Sequence, residues 1–179
     1  TDDGERTEYA ADWVLVAVGR EPVSDTLDLD AAGVETDDRG FVTTDDQGRT
    51  NVDSVFAVGD VAGEPMLAHK GMAEGEVAAA VVAGEPASME ARAIPAAVFT
   101  DPEIATVGLT ESAAREAGHE PAVGRFPFGA SGRALALGER EGFVRVVADA
   151  GTGVVLGGQV VGPEASELIA EVTLAVQLG

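Results

Sequence analysis

Thr50-Asn51-Val52-Asp53-Ser54-Val55-Phe56-Ala57-Val58-Gly59-Asp60, with Met66-Leu67-Ala68-His69-Lys70 opening six residues past Asp60, is the stretch on which the fold of this chain turns. The apolar run 55–58, closed by a glycine, predicts a buried strand of the parallel type. Glycine at its end lets a ligand approach the backbone closely. Asp60 then stands at the carboxyl end of the strand, where open α/β sheets bind ligands. Its carboxylate can accept hydrogen bonds from sugar-type hydroxyls. A helix opening at Leu67 would aim free N–H groups and a positive dipole end at the same place. Taken alone, Gly59-Asp60 also fits an ordinary strand-ending turn, and His69 a half-exposed surface histidine.

Working outward, Trp13-Val14-Leu15-Val16-Ala17-Val18-Gly19-Arg20 is another continuous apolar run ended by glycine. It predicts a second buried strand, stopped by Pro22. Residues 1–9 are polar and charged and read as the end of a hairpin or a cut edge. Residues 23–50 are Asp-rich, with short strand-like pieces such as 41–43. Downstream, residues 67–83 predict one helix, closed by Gly84. Residues 85–92 read as a linker and a domain boundary. Beyond it, 94–100, 104–109, 123–128, 142–148 and 154–161 predict strands, with Gly151 and Gly153 suited to a hairpin turn. Thr110 is placed to cap a short helix, although Ala113 stands where a capping box prefers Glu; Gly118 ends it. Pro163 suits the first turn of a last helix carrying Leu168, Ile169, Val172 and Leu178. Strands, helix, strands, helix is the order of an α+β domain on an antiparallel sheet.

Composition narrows the classes of function. Thirty-two Asp and Glu against eleven Lys and Arg leave a net charge of −21, and Lys70 is the single lysine. Such a surface repels nucleic acid and anionic membranes. It also destabilises the compact state unless salt screens it, and at molar salt the Debye length is only about 3 Å. A halophilic source with a high-salt cytoplasm is the favoured explanation; an acidic face for a basic partner is the other. The chain has no Cys and only two histidines, His69 and His119, far apart in sequence. No disulfide and no metal site is expected, and His119, after a helix-ending glycine, reads as a surface turn residue. No apolar run approaches the roughly 20 residues that span a bilayer, so a soluble, cytoplasmic protein is expected.

The 50–60 motif with Met66-Leu67-Ala68-His69-Lys70 resembles the second FAD-binding motif of the pyridine nucleotide–disulfide oxidoreductases. Residues 13–22 resemble the strand where the NAD domain of that family returns to its FAD domain. Residues 94–110, Ile-Pro-Ala-Ala-Val-Phe-Thr-Asp-Pro-Glu-Ile-Ala-Thr-Val-Gly-Leu-Thr, are similar to the opening of the family's dimerisation domain. Arg133-Ala134-Leu135-Ala136, Gly142-Phe143-Val144-Arg145 and residues 162–169 look most like its dihydrolipoamide dehydrogenase branch. The resemblance covers nearly all of the chain past residue 11. It implies an α/β segment of an FAD/NAD-binding Rossmann-like domain, followed by an α+β dimerisation domain with an antiparallel sheet. Residues 1–20 would end the NAD-binding domain, 21–85 form the C-terminal part of the FAD-binding domain, and 93–179 a truncated dimerisation (interface) domain.

For individual residues the resemblance implies that Asp60, after Gly59, holds the ribityl chain of FAD. Met66, Leu67, Ala68 and His69 would wrap the flavin, largely through backbone groups. Gly19 would sit against NAD and Val98 near the nicotinamide. Asp101 stands where His is frequent in the family. The family's redox cysteines and glycine-rich dinucleotide fingerprints would lie upstream, and its acid–base His and Glu downstream in a His-Pro-Thr-type motif. No catalytic residue is therefore expected in this chain, which should bind FAD and NAD weakly or not at all. The implied partners are a second copy, through 93–179, and the lipoyl domains of a 2-oxoacid dehydrogenase complex. A mercuric- or glutathione-reductase-like member, or a non-catalytic dimerisation module, are the competing readings.

Overall fold

In the second half, each strand-forming run finds its partner within the chain. The computed structural model describes residues 7–179, so the expected hairpin end at 1–9 lies mostly outside the described residues. Strands β1 (Ala96–Val98), β2 (Glu103–Gly108), β3 (Pro121–Pro127), β4 (Phe143–Asp149) and β5 (Val155–Gly162) form one sheet in the order β1-β2-β5-β4-β3. Every pairing is antiparallel. The β2–β5 register runs from Glu103 opposite Gly162 to Gly108 opposite Gly157. The β4–β5 hairpin turns where Asp149 Oδ1 accepts from the N–H groups of Gly151 and Thr152.

The sheet's period-2 alternation decides what is buried. Ala105, Val107 and Val160 point to one face, and the helix here called α5 (Ala165–Leu178) lies across it with Ala165, Ile169 and Val176. Val160 and Ala105 are fully buried. Burying a side chain the size of Val or Ile stabilises by about 1.5–3 kcal/mol. On the opposite face a short helix, Glu111–Glu116, carries the fully buried Ala114 and places Glu111 Oε2 2.5 Å from the Arg145 guanidinium of β4. Thr110 caps that helix, its hydroxyl accepting from Ala113 N–H at 3.2 Å. A helix that the sequence reading left out, Gly132–Leu137, is capped by Ser131 and closed by Gly138 at φ 79°. Gly142 enters β4 at φ 112°, its Cα against the carbonyl of Val161.

The first half is built differently. Its long helix, Ala68–Val82, agrees with the expected 67–83, and its buried residues include Ala78 and Val81. A four-residue helix, Leu29–Ala32, was not anticipated. The two expected buried strands are not formed. Residues 13–20 carry no strand, and Trp13 and Val18 are 92% and 93% exposed. Residues 55–60 give a single bridge, Phe56 with Arg49, and then a 3-10 turn, Gly59–Ala62. The reason is physical: a strand is stabilised by its neighbours' ladder and side chains. Among the described residues no ladder flanks these runs. Short polar links take its place. Thr50 Oγ1 donates to the Val55 carbonyl at 2.9 Å, and Asn51 ties Glu35 N–H to the Gly33 carbonyl. Val34, Phe41 and Val42 are buried nearby.

Residues 85–92 carry no helix or strand. They are nonetheless hydrogen-bonded on both sides. Met89 N–H reaches the Asp46 carbonyl, and Gln177 of α5 bonds both Arg92 N–H and the Glu90 carbonyl.

Candidate functional site

The helix Ala68–Val82, α2 in chain order after Leu29–Ala32 (α1), opens without a side-chain cap; Leu67 before it is extended. The first-turn N–H groups of a helix have no intrahelical partner. Its N-terminus therefore presents donors and a positive dipole end. Against this first turn lies the 3-10 turn Gly59–Ala62, which carries Asp60 on its exposed side. Two glycines make that approach possible. Gly59 adopts φ 76°, and a Cβ on Gly71 would lie 3.0 Å from the Gly59 Cα. A side chain at 71 would press helix and turn apart, and one at 59 would be strained at that φ.

A buried ion pair fastens the two together. Lys70 Nζ sits 2.8 Å from Glu74 Oε1, with side chains only 7% and 18% exposed. The other Glu74 oxygen accepts the Gly59 N–H at 2.7 Å. Lys70 Nζ donates to the Gly63 carbonyl at 3.1 Å and to that of Gly59 at 3.5 Å. Charges this deep persist only when paired and hydrogen-bonded. Two further contacts tie neighbouring segments to the start of α2. Arg20 donates to the Met66 carbonyl at 2.5 Å. His69 Nε2 lies 2.8 Å from the Pro95 carbonyl, so that nitrogen carries the proton.

Where α2 meets β1 and α5 there is a cavity of about 420 Å³, walled by Leu67, Ala68, His69, Pro95, Phe99 and Ile169 among others. Its size and largely apolar wall are those of a small-molecule site. At the rim, Glu103 of β2 accepts both the N–H and the hydroxyl of Ser166 in the first turn of α5. The Ser166 N–H and then its hydroxyl hold the Glu103 carboxyl below its ordinary range. Asp149 is likewise held low, first by the Thr152 N–H and then by His119, whose Nδ1 is 3.0 Å away. His119 belongs to that hairpin end and lies outside the cavity wall.

The residues singled out from sequence are only partly brought together. Gly59, Asp60, Met66, Leu67, Ala68 and His69 surround one helix start. Val98 is 53% exposed and is not in the cavity wall, whereas its neighbour Phe99 is. Gly19 lies in an exposed, irregular stretch. Arg20, Glu74, Pro95 and Phe99 carry contacts that the sequence did not announce. Arg20 was visible beside Gly19, but its target is 46 residues away. Among the described residues no group of three or more His, Asp or Glu is placed to hold a metal, and no helix is long and apolar enough to cross a membrane.

The chain is similar to known proteins over nearly all of its length. Residues 94–179 match the model of the pyridine nucleotide-disulphide oxidoreductase dimerisation domain, and residues 1–75 match that of the pyridine nucleotide-disulphide oxidoreductases. Dihydrolipoyl dehydrogenase 2 of Haloarcula marismortui is 66% identical over 97% of this chain and 37% of its own length. Dihydrolipoyl dehydrogenase of Halobacterium salinarum is 62% identical over 99% of the chain and 38% of its own length. The chain thus spans a little over a third of these relatives, and its acid-rich, Lys-poor composition suits their halophilic sources. Among solved structures, LpdA of Mycobacterium tuberculosis superposes with a TM-score of 0.79 at 34% identity, over 88% of this chain and 34% of that one. The flavoprotein disulfide reductase RclA of Escherichia coli gives 0.83 at 28% identity, over 91% and 38%. The chain belongs to the pyridine nucleotide-disulphide oxidoreductases, carrying the family's dimerisation domain and sequence from the oxidoreductase domain ahead of it.

Proposed function

We propose that this chain is part of a flavoprotein dihydrolipoamide dehydrogenase, which oxidises dihydrolipoamide to the disulfide while reducing NAD⁺ to NADH. The carrying observation is that dihydrolipoyl dehydrogenases 61–66% identical to it align over 96–100% of the chain. That likeness supports this member over the mercuric- or glutathione-reductase-like readings. The residues present fit FAD. The turn at Gly59 leaves Asp60 free to accept hydroxyl hydrogen bonds, and the uncapped start of α2 suits an electron-rich ring oxygen. When bound, FAD supplies the two-electron relay between dithiol and nicotinamide.

The chain's own part is binding and orientation. Asp60 would hold the sugar-alcohol chain of the flavin. Met66, Leu67, Ala68 and His69 would wrap its ring, with the His69 imidazole held on the Pro95 carbonyl. Gly19 and Val98 would lie toward NAD. Residues 93–179 would pair with a second copy, and lipoyl domains of a 2-oxoacid dehydrogenase complex would deliver the dithiol in a high-salt cytoplasm.

The test uses the complete gene product that contains this chain, purified in molar KCl. Near one FAD per subunit and NADH formation from dihydrolipoamide are expected. Asp60→Ala should weaken FAD roughly 10-fold or more, about the value of a lost charge-assisted hydrogen bond. A colourless wild-type protein, or one reducing NAD⁺ with no dithiol substrate, sinks the reading. So would a 179-residue chain that by itself purifies yellow with one flavin bound, because half of the site is proposed to lie elsewhere.

A further inference from the structure

We propose that the buried Lys70–Glu74 pair is the positioning device of the flavin site, holding the Asp60 turn in register with the start of α2 without itself touching ligand. The inference rests on the FAD reading above. The chain's only lysine, among eleven basic residues on a strongly acidic protein, is buried rather than solvated. It contributes nothing to the surface, so its role is internal.

The geometry states that role. A four-residue 3-10 turn has orphan donors at its start and orphan carbonyls at its end. The residue before Gly59–Ala62, Val58, gives it no side-chain cap. One turn of α2 reaches both ends of it, and the Val42 N–H bonds the Val61 carbonyl besides. Glu74 accepts the Gly59 N–H, and Lys70 donates to the carbonyls of Gly59 and Gly63. Residues 70 and 74 are neighbours on one face of the helix. Gly71, between them, is bare so that the turn can sit against it. The pair therefore fixes the distance and angle between Asp60 and the free N–H groups of Ala68 and His69. Neither charged side chain lines the 420 Å³ cavity. Removing one partner leaves the other charge buried and unpaired, so the turn must open to let it reach water. Asp60 moves with it.

The test is a double-mutant cycle on the complete holoenzyme in molar KCl. Lys70→Met, Lys70→Arg and Glu74→Gln are made alone and in an Asp60→Asn background. Stripped protein is titrated with FAD, the visible flavin spectrum is recorded, and thermal unfolding is followed by circular dichroism. Lys70→Met should weaken FAD roughly 10-fold and shift the flavin band, whereas Lys70→Arg should stay within about 3-fold. In the Asp60→Asn background the further loss should shrink to about 2-fold or less, because the pair acts through Asp60. Where Lys70→Met does not fold, Glu74→Gln and Lys70→Arg carry the same cycle. Unchanged FAD affinity, or a loss equal in both backgrounds, overturns the proposal while leaving the function intact. A wild-type protein that takes up no FAD overturns both.

Discussion

Val155–Gly162 and residues 13–18 are runs of similar apolar character with opposite fates in this chain. The first is a central strand between β2 and β4, with Val160 fully buried. The second has no ladder among the described residues, and its side chains lie open. Composition is not the cause, since both runs are rich in Val and end at Gly. What differs is where the partner lies. The sheet's pairings all fall between residues 96 and 162, so the second half closes its own core. The first half is held instead by a helix, glycine contacts and side-chain links to the backbone. A β-run is thus a request for a neighbour, and burial follows only when the neighbour is present.

That contrast can be broken by three measurements on this chain, each a denaturant titration in molar KCl. The largest effect is expected at Gly142, where a side chain would meet the Val161 carbonyl at a backbone angle closed to L-residues. Gly142→Ala should cost on the order of 4 kcal/mol, overpacking and backbone strain together. A loss under about 1 kcal/mol would mean the start of the β4–β5 ladder yields far more than its register suggests. Next come matched truncations of two apolar residues. Ile169→Ala, on the buried face of α5 and 3% exposed, should cost about 2–5 kcal/mol. Trp13→Ala should stay within about 0.5 kcal/mol despite removing a larger side chain. Equal costs would show that residues 13–18 find burial within this chain after all.

The smallest effect is electrostatic. Glu103 is held below its ordinary range by Ser166, so ionisation favours the folded state. Its contribution is fully present above the ordinary Glu value of about 4.3 and is lost as pH falls through the lower folded value. The wild-type unfolding midpoint should therefore fall with acid below about pH 4.3 more steeply than that of Glu103→Gln. Parallel curves would remove Glu103 from the account of acid stability.

Legibility followed the same division. Strands β2, β4 and β5, the Thr110 cap, the Gly-rich hairpin at 149–154 and the long helix at 67–83 were readable because their determinants are local. The short helix after Ser131 was also locally signalled, by Ser131 before it and Gly138 after, but its six residues are too few for a clear period. The strands at 13–20 and 55–60 were misread in this chain because alternation and apolarity say nothing about where partners lie. At the site, Gly59, Asp60 and the helix start were legible as a motif. The roles of Glu74 and Arg20 were not, since their targets are 15 and 46 residues distant. Phe99 lines the cavity in place of Val98 because β1 ends at Val98, and the first residue past a strand is not bound by the strand's alternation.

The solitary lysine also makes the molecule a reporter of its own breathing. A protease that cuts only after lysine has one bond to attack in these 179 residues, Lys70–Gly71, inside the first turn of α2. That bond is out of reach until the turn of Gly59–Ala62 lets go and α2 frays. The rate of a single clean scission therefore counts every opening that frees the start of α2.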